Sequence, residues 1–202
     1  ARVNVVCTDK TGTLTENRME LEHIQLLGDT SLDTVHRVLQ GFVAADNRPN
    51  DTLHAIAEGV GDEDFGDDVL DCVAFDSARK WSGVSLAELG DWVLGAPDVL
   101  LPAGSETLEQ AQPLEERGLR GLLLAAGDGA STIEPVALVV LGQKLRPDAA
   151  DTLDYFEQEN VEVKVVSGDH ATSVGAVAHQ LGIVDPPIDA RTLPSDPLAF
   201  RE

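Results

Sequence analysis

The sequence has few cysteines, few basic residues and no long apolar run, and each shortage excludes a class of protein. Its cysteines, Cys7 and Cys72, lack the paired spacing of a zinc site or a disulfide framework, which fits a reducing compartment. The 5 histidines show no metal-ligand spacing either. No apolar run approaches the roughly 18 residues of a membrane-spanning helix, and no basic-then-apolar leader opens the chain. We therefore expect a soluble piece of protein without a structural zinc site.

Basic residues are so scarce that the chain is strongly acidic. Lys and Arg number 14 against 36 Asp and Glu, which gives a formal net charge of −22. Such a charge repels phosphate backbones and anionic lipid surfaces, so nucleic acid is excluded as a partner. A phosphate ligand would need cations placed at its own site. The basic residues inside or beside the motifs described below are Lys10, Arg79, Lys80, Arg120 and Arg146.

Two short β-branched runs, residues 3–8 and 161–166, have the composition of buried parallel strands. Each run ends in a polar loop that contains glycine. Apolar residues at helical spacing follow the second run as far as Gly182, which is typical of a helix C-cap. A further helix opens at Pro147, before the second run. This strand–loop–helix order predicts an α/β fold with a Rossmann-like, doubly wound parallel sheet.

The middle of the chain follows a different pattern. Apolar spacing predicts two helices, and short strand-like pieces separated by Gly and Asp turns follow them. The helices are predicted at residues 32–43 and 53–60, and the strands at 73–75, 83–86, 92–94 and 122–126. We assign residues 21–135 to an inserted α+β domain built on an antiparallel sheet. Residues 1–20 and 136–202 then form the parallel-sheet domain, which we interpret as incomplete.

Residues 9–15, Asp-Lys-Thr-Gly-Thr-Leu-Thr, lie where the first strand ends, and open α/β sheets bind ligands at that edge. There the Asp9 carboxylate can attack a γ-phosphate in line and become an aspartyl phosphate. Gly12 permits a tight turn around the phosphate, and the hydroxyls of Thr11 and Thr13 can donate to its oxygens. Mg²⁺ bridging Asp9 and the phosphate would offset the repulsion between two anions.

This segment resembles the phosphorylation signature of the P-type ATPases, within the haloacid dehalogenase superfamily. The resemblance implies a pump that uses ATP and Mg²⁺, with Asp9 as the phosphorylated residue and Lys10 beside it in the catalytic loop. Asp9 and the Thr11 carbonyl are the implied metal ligands. Soluble phosphatases of the superfamily typically carry a second aspartate two residues after the nucleophile. Thr11 cannot act as that acid and base, so we expect a slowly decaying phosphoenzyme, as a pump requires.

A second segment, Ser167-Gly168-Asp169, ends the other predicted parallel strand. If the two strands are neighbours, this segment lies beside Asp9. The Ser167 hydroxyl and the Gly168 amide can donate to phosphate oxygens. The segment resembles a Gly-Asp-Asn segment of the pumps, with His170 in place of the asparagine.

Two other segments have weaker counterparts in the pumps. Arg146 matches a family arginine near the phosphate site and is assigned to nucleotide binding, although Gln143 stands where an aspartate is expected. Residues 127–129, Gly-Asp-Gly, look like the glycine-rich Asp motif that helps these pumps to hold Mg²⁺. That motif should follow Ser167, so we predict a hairpin turn at 127–129 instead.

Three segments of the insertion resemble the pumps' nucleotide pocket, in family order. Phe75 matches the aromatic residue that stacks on the purine, and Lys80 the lysine that reaches toward the purine or the phosphates. Gly95 and Ala96 match a Gly-Ala-Pro turn whose small residues admit the adenine. Arg120 matches an arginine that contacts a nucleotide phosphate.

Leu53 and Leu94 stand where many members of the family have glutamate and lysine, so weak nucleotide affinity is expected. Two other functions stay open. One is a soluble haloacid dehalogenase-type phosphatase with a cap domain, which steady turnover of p-nitrophenyl phosphate would indicate. The other is a nucleotide-binding module alone. Thr11 and the nucleotide segments favour the pump.

The resemblance also implies a setting and partners. It places the chain on the cytoplasmic side of the plasma membrane, as part of an integral membrane pump with its own transmembrane and actuator domains. The pattern is nearest to bacterial calcium-type pumps, including the actinobacterial cation transporter E type. The transported cation, with calcium as a candidate, would bind in membrane helices and not here. The pumps' downstream lysine and glycine-rich Asp motif lie outside this sequence, so we expect ATP binding with little turnover.

Overall fold

The computed structural model describes residues 3–61, 66–129, 133–169 and 171–192, apart from the side chains of Glu115 and Glu116. In chain order its strands and α-helices are β1 (Val5–Asp9), β2 (Thr15–Leu26), α1 (Leu32–Ala45), α2 (Asp51–Val60), β3 (Val69–Asp76), β4 (Trp81–Leu86), β5 (Gly90–Gly95), α3 (Pro97–Leu100), α4 (Glu106–Glu116), β6 (Arg120–Ala126), β7 (Glu134–Leu145), α5 (Ala149–Gln158), β8 (Glu162–Val166) and α6 (Ala171–Gln180).

The chain divides into two compact units, each with its own sheet. The parallel unit comprises Ala1–Glu16, Glu116–Gly118 and Leu145–Glu202, and the antiparallel unit comprises Asn17–Glu115 and Leu119–Lys144.

This division lies a few residues from the predicted domain borders, at 20/21 and 135/136. Strands β2 and β7 are 12 residues long each and are neighbours in the six-stranded sheet. The Leu27 amide donates to the Val136 carbonyl at 2.9 Å where they meet. Residues 17–20 and 136–144 belong to the antiparallel unit because their hydrogen-bonding partners lie in that sheet.

In the parallel unit, β1 and β8 pair in parallel, with Asp9 opposite Val166. The predicted parallel pairing is confirmed, with two strands in the described sheet. The expectation that these strands are buried is wrong, because a two-stranded sheet leaves Val5 and Val166 uncovered, at 48% and 60% exposure. A small core formed by Leu14, Ala149, Leu153 and Leu181 packs around α5 and α6.

In the antiparallel unit the strand order is β2-β7-β6-β5-β4-β3, and consecutive pairs from β3 to β7 are antiparallel. Helix α1 begins after Ser31, whose hydroxyl accepts a hydrogen bond from the Thr34 amide at 3.1 Å. Its Val35, Val38, Leu39 and Phe42 recur at helical spacing and are buried in the larger core. The predicted helices and strands of the insertion are confirmed.

Both faces of the central strands are buried, because successive side chains point into two different cores. Leu124 of β6 faces the core that contains α1 and α2, whereas Leu123 and Ala125 face a second core with Ala111 and Leu114 of α4. Strands buried on both faces lose the apolar–polar alternation that identifies a strand, so β7 was not predicted. Helix α4 was missed because it carries an internal proline, Pro113, and a weak apolar stripe.

The mixed α/β class, with a small parallel sheet and a larger antiparallel sheet, is confirmed. Residues 127–129 lie in the connection between the antiparallel strands β6 and β7, as the predicted turn requires. Across the described ranges, every helix is too short or too polar to cross a bilayer.

Candidate active site

The Asp9 loop occupies residues 10–14, directly after β1. The Thr15 amide donates back to the Lys10 carbonyl and closes the turn, and the Thr15 hydroxyl bonds the same carbonyl at 3.3 Å. Gly12 has φ of +77°, a left-handed conformation that glycine adopts without steric cost. The turn leaves Thr11 and Thr13 exposed together with Asp9, whose Oδ1 accepts from the Lys10 amide at 2.8 Å.

Lys10 points the other way, into the protein. Its residue is 1% exposed, and its Nζ forms an ion pair with Oδ2 of Asp169, whose side chain is 47% exposed. A buried ammonium is costly without a charged partner, so this pair fixes the Asp9 loop to the segment that follows β8. The structure thus brings together two predicted segments that are far apart in sequence.

The parallel register explains that contact. Asp9 lies opposite Val166, so residues 167–169 leave the sheet at the same edge as the Asp9 loop. The Ser167 hydroxyl accepts a hydrogen bond from the Asp169 amide at 3.3 Å and shapes the turn. A Cβ added at Gly168 would meet nothing within 4 Å. His170 lies outside the described residues.

Arg146 belongs to the parallel unit and sits at the end of the Asp9 loop. Its amide donates to the Leu14 carbonyl at 3.0 Å, and its guanidinium forms two hydrogen bonds with the Asp148 carboxylate, at 3.1 and 3.4 Å. This hydrogen-bonded pairing lowers the pKa of Asp148 and raises the pKa of Arg146. The structure does not group Arg146 with the other predicted nucleotide residues, which lie in the antiparallel unit.

The predicted metal ligand Asp9 is an exposed carboxylate at the end of β1. In the described ranges, no group of three or more His, Cys, Asp or Glu side chains could hold a metal ion. Mg²⁺ commonly keeps several waters and is held by one or two carboxylates plus substrate phosphates. The exposed Asp9 carboxylate fits that mode of binding.

A cavity of about 700 Å³ lies in the antiparallel unit. All the nucleotide residues predicted there line it, namely Phe75, Lys80, Gly95, Ala96 and Arg120. Phe75 is 48% exposed, so part of an aromatic residue is presented to solvent. Leu53 and Leu94 also line the cavity and are buried, so they give it an apolar floor. An apolar cavity with a few polar groups is the usual form of a small-molecule site.

The turn between β3 and β4 positions Lys80. The Arg79 and Ala78 amides donate to the Asp76 carboxylate at 3.1 and 2.8 Å, and these hydrogen bonds lower the pKa of Asp76. The Arg79 guanidinium donates to the Ala74 carbonyl and lies 4.8 Å from the centre of the Trp81 ring system. Arg79 therefore braces the turn.

Gly95 shows why a small residue is needed at this strand end. A Cβ there would lie 2.3 Å from the Trp81 Cβ and 2.8 Å from the Lys80 carbonyl oxygen. The close approach of β4 therefore excludes a side chain at Gly95.

Sequence reasoning missed two charged members of the cavity wall, Asp51 and Asp98. Asp98 directly follows the Gly-Ala-Pro turn, and Asp51 is the first residue of α2. An acidic residue in the first turn of a helix is common for capping reasons alone, so neither position signals a ligand by itself.

The sequence model of the haloacid dehalogenase-like hydrolase family matches residues 3–197. The chain belongs to this family. The chain is similar to the calcium-transporting ATPase CtpE of Mycobacterium bovis (strain ATCC BAA-935 / AF2122/97), with 51% identity. The match covers 96% of this chain and 25% of CtpE. The calcium-transporting ATPase CtpE of Mycolicibacterium smegmatis is 48% identical over 100% of the chain and 26% of its own length. The chain thus spans about a quarter of these relatives.

A solved structure has the same fold as this haloacid dehalogenase-like chain. The crystal structure of a zinc-transporting PIB-type ATPase superposes with a TM-score of 0.72 and 19% identity, covering 90% of the chain and 28% of that protein. The predicted resemblance to cation-transporting P-type ATPases is confirmed by the named relatives, and the fold by this structure.

Proposed function

We propose that this chain is the ATP-binding and phosphate-accepting portion of a cation-transporting P-type ATPase, with Asp9 as the residue that becomes phosphorylated. The observation that carries the proposal is the cavity of the antiparallel unit. Five residues predicted separately from the sequence, located on three strands and in two connecting turns, line that one cavity.

Each cavity residue has a role that its chemistry supports. The exposed Phe75 ring offers a surface for stacking with adenine, and the apolar floor of Leu53 and Leu94 suits the base. Lys80 and Arg120 supply positive charge for the phosphates. Cations are scarce in this acidic chain, so their presence at one cavity supports an anionic ligand.

The phosphoryl transfer that we propose uses residues of the parallel unit. An Asp9 carboxylate oxygen forms a bond to the γ-phosphorus, the bond from that phosphorus to the β,γ-bridging oxygen breaks, and ADP leaves with the electron pair. The Thr11 and Thr13 hydroxyls and the Ser167 region donate to the phosphoryl oxygens. Bound Mg²⁺, held by Asp9 and the Thr11 carbonyl, would neutralise developing phosphate charge. The Lys10–Asp169 pair holds the loop in position.

The whole protein's setting rests on its relatives. Relatives named calcium-transporting ATPase support a cation pump. We place that pump in the plasma membrane as an integral membrane protein, with this portion on the cytoplasmic side. Calcium is then the candidate cation, and the pump's transmembrane and actuator domains are the partners. Thr11, in place of a second aspartate, supports a persistent phosphoenzyme over rapid phosphatase turnover.

The test has a binding arm and a chemical arm. Titration of this chain with ATP, followed by NMR, should perturb amides around Phe75 at millimolar nucleotide. Phe75→Ala should weaken binding by about 1 kcal/mol, because stacking is lost. Tyr155→Ala removes an exposed aromatic ring from the other unit and serves as the control. Unperturbed amides near Phe75 would refute the nucleotide site.

In the chemical arm, the pump that contains this chain is incubated with labelled ATP. Asp9→Asn should abolish the acid-stable, hydroxylamine-labile phosphoenzyme while ATP binding persists, because an amide is not a nucleophile and the cavity lies in the other unit. A labelled phosphoenzyme that survives this substitution would place the nucleophile elsewhere.

A further inference from the structure

The cavity of the antiparallel unit is lined by equal numbers of positive and negative side chains. Lys80 and Arg120 are the cations, and Asp51 and Asp98 are the carboxylates. The Lys80 Nζ lies 3.5 Å from the Asp98 Oδ2. The lysine that would bind a nucleotide phosphate is thus engaged by a carboxylate of the same wall.

Backbone contacts fix both members of this pair. Lys80 has φ of +59°, and its amide donates to the Asp76 carbonyl at 2.6 Å. The Lys80 carbonyl accepts from the Ala96 amide at 3.1 Å, which ties it to the turn that begins α3. Asp98 lies two residues beyond that amide. The β4–β5 register, in which Trp81 lies opposite Gly95, therefore brings the backbones of the two residues close enough for their side chains to pair.

We propose that Asp98 competes with the nucleotide phosphate for the Lys80 ammonium, and thereby sets the affinity of the cavity for phosphate-bearing ligands. This inference rests on the proposed function. A phosphate that reaches Lys80 has to displace Asp98, which exchanges one ion pair for another, or share the ammonium with it, which brings two anions close together. Asp98 lowers the affinity for ATP and leaves a ligand without phosphate, such as adenosine, unaffected at this contact.

The size of the effect follows from exposure. The side chains of Lys80 and Asp98 are 54% and 62% exposed, so water and salt screen the pair. Exposed pairs of this kind correspond to about a two- to fivefold change in an equilibrium constant. Asp98→Asn should therefore tighten ATP binding by that factor at low salt, and the gain should shrink as ionic strength rises.

Asp51 supplies the matched control. It is a carboxylate of the same cavity, and among the described residues Lys80 forms its ion pair with Asp98 and not with Asp51. Asp51→Asn removes the same formal charge, so it reports the general relief of repulsion toward ATP. The two substitutions differ in their coupling to Lys80. In a Lys80→Met background, the gain from Asp98→Asn should fall to that of Asp51→Asn, whereas the gain from Asp51→Asn should be unchanged.

The experiment is isothermal titration of this chain with ATP and with adenosine, at low and high salt, for both Asn variants with and without Lys80→Met. The expected result is a two- to fivefold gain for ATP, specific to Asp98, dependent on Lys80 and absent with adenosine. Asp98→Ser repeats the test with a small polar residue that carries no charge. Circular dichroism checks that each variant is folded.

Two outcomes overturn the inference while leaving the proposed function intact. One is an equal gain from Asp98→Asn and Asp51→Asn that persists without Lys80. The other is an equal gain for adenosine, which would show that Asp98 does not act through phosphate. If the unaltered chain binds no ATP, both this inference and the proposed nucleotide site are overturned.

Discussion

Lys10 illustrates how one side chain can join two distant parts of the sequence. Its side chain is 2% exposed, and its ammonium is paired with the half-exposed carboxylate of Asp169. Desolvation of an ammonium costs several kcal/mol unless charge and hydrogen bonds offset it. Asp169 therefore has a structural task in addition to any role at the phosphate: it keeps Lys10 buried and so holds the Asp9 loop in place.

This role predicts an asymmetric response to substitution. Asp169→Asn removes a carboxylate charge from the buried ammonium of Lys10 and should destabilise the parallel unit by about 1–3 kcal/mol, less than for a fully buried pair because Asp169 is half exposed. Lys10→Met combined with Asp169→Asn should recover part of that loss. Hydrogen exchange of the β1 and β8 amides measures both effects.

The control is the exposed pair of the same unit formed by Lys164 and Glu162. Glu162→Gln should leave exchange in β1 and β8 unchanged, because both partners are already hydrated. If Asp169→Asn has as little effect as Glu162→Gln, Lys10 does not depend on Asp169 in the folded protein.

At the scale of the element, the end of β5 decides the shape of the cavity. Gly95 pairs with Trp81 of β4, and the two backbones approach so closely that no Cβ fits between them. The same contact aligns Ala96 with the Lys80 carbonyl. One glycine thus fixes the strand pairing and, through it, the positions of the cavity's lysine and turn.

Gly95→Ala should destabilise the antiparallel unit by about 1–3 kcal/mol, because the added methyl group must displace the backbone of β4 or the Trp81 side chain. ATP binding should weaken as Lys80 moves. Urea unfolding followed by tryptophan fluorescence measures the first effect, since both tryptophans, Trp81 and Trp92, lie in this unit.

Gly28→Ala is the matched control, because a Cβ at Gly28 would meet nothing within 4 Å. Its free energy of unfolding should shift by no more than about 0.5 kcal/mol. Equal stabilities for the two alanine variants would mean that β4 accommodates the methyl group, and that the glycine is not required by the strand contact.

At the scale of the whole molecule, the two units differ in the size of their cores. In the described ranges, 17 buried apolar residues form the larger core of the antiparallel unit, and four form the core of the parallel unit. Because hydrophobic burial is the dominant favourable term in folding, the parallel unit should be the less stable of the two.

Native-state hydrogen exchange tests this difference directly. Amides of β1 and β8 should exchange through openings of lower free energy than amides of β5, β6 and β7. At moderate urea the parallel unit should open first, while tryptophan fluorescence still reports a folded antiparallel unit. A single free energy of opening shared by both sheets would show one cooperative unit instead.

The sequence by itself determined the features that depend on neighbouring residues only, such as helices and tight turns. The helical spacing of Val35, Val38 and Leu39 marks a helix wherever it packs, and Gly12 marks a left-handed turn because other residues adopt it at a cost. The Asp9 loop could be predicted from the sequence for the same reason, since its residues are consecutive. The nucleotide residues could be named by resemblance, but their grouping into one cavity remained a prediction until the fold was known.

Tertiary structure alone decided the contacts between residues distant in sequence. The border between the units depends on the pairing of β2 with β7, and the Lys80–Asp98 pair depends on the register of β4 and β5. The contact between Lys10 and Asp169 depends on the parallel pairing of β1 with β8. Strand partners and registers are selected by the burial of whole faces at once, so no single segment contains them.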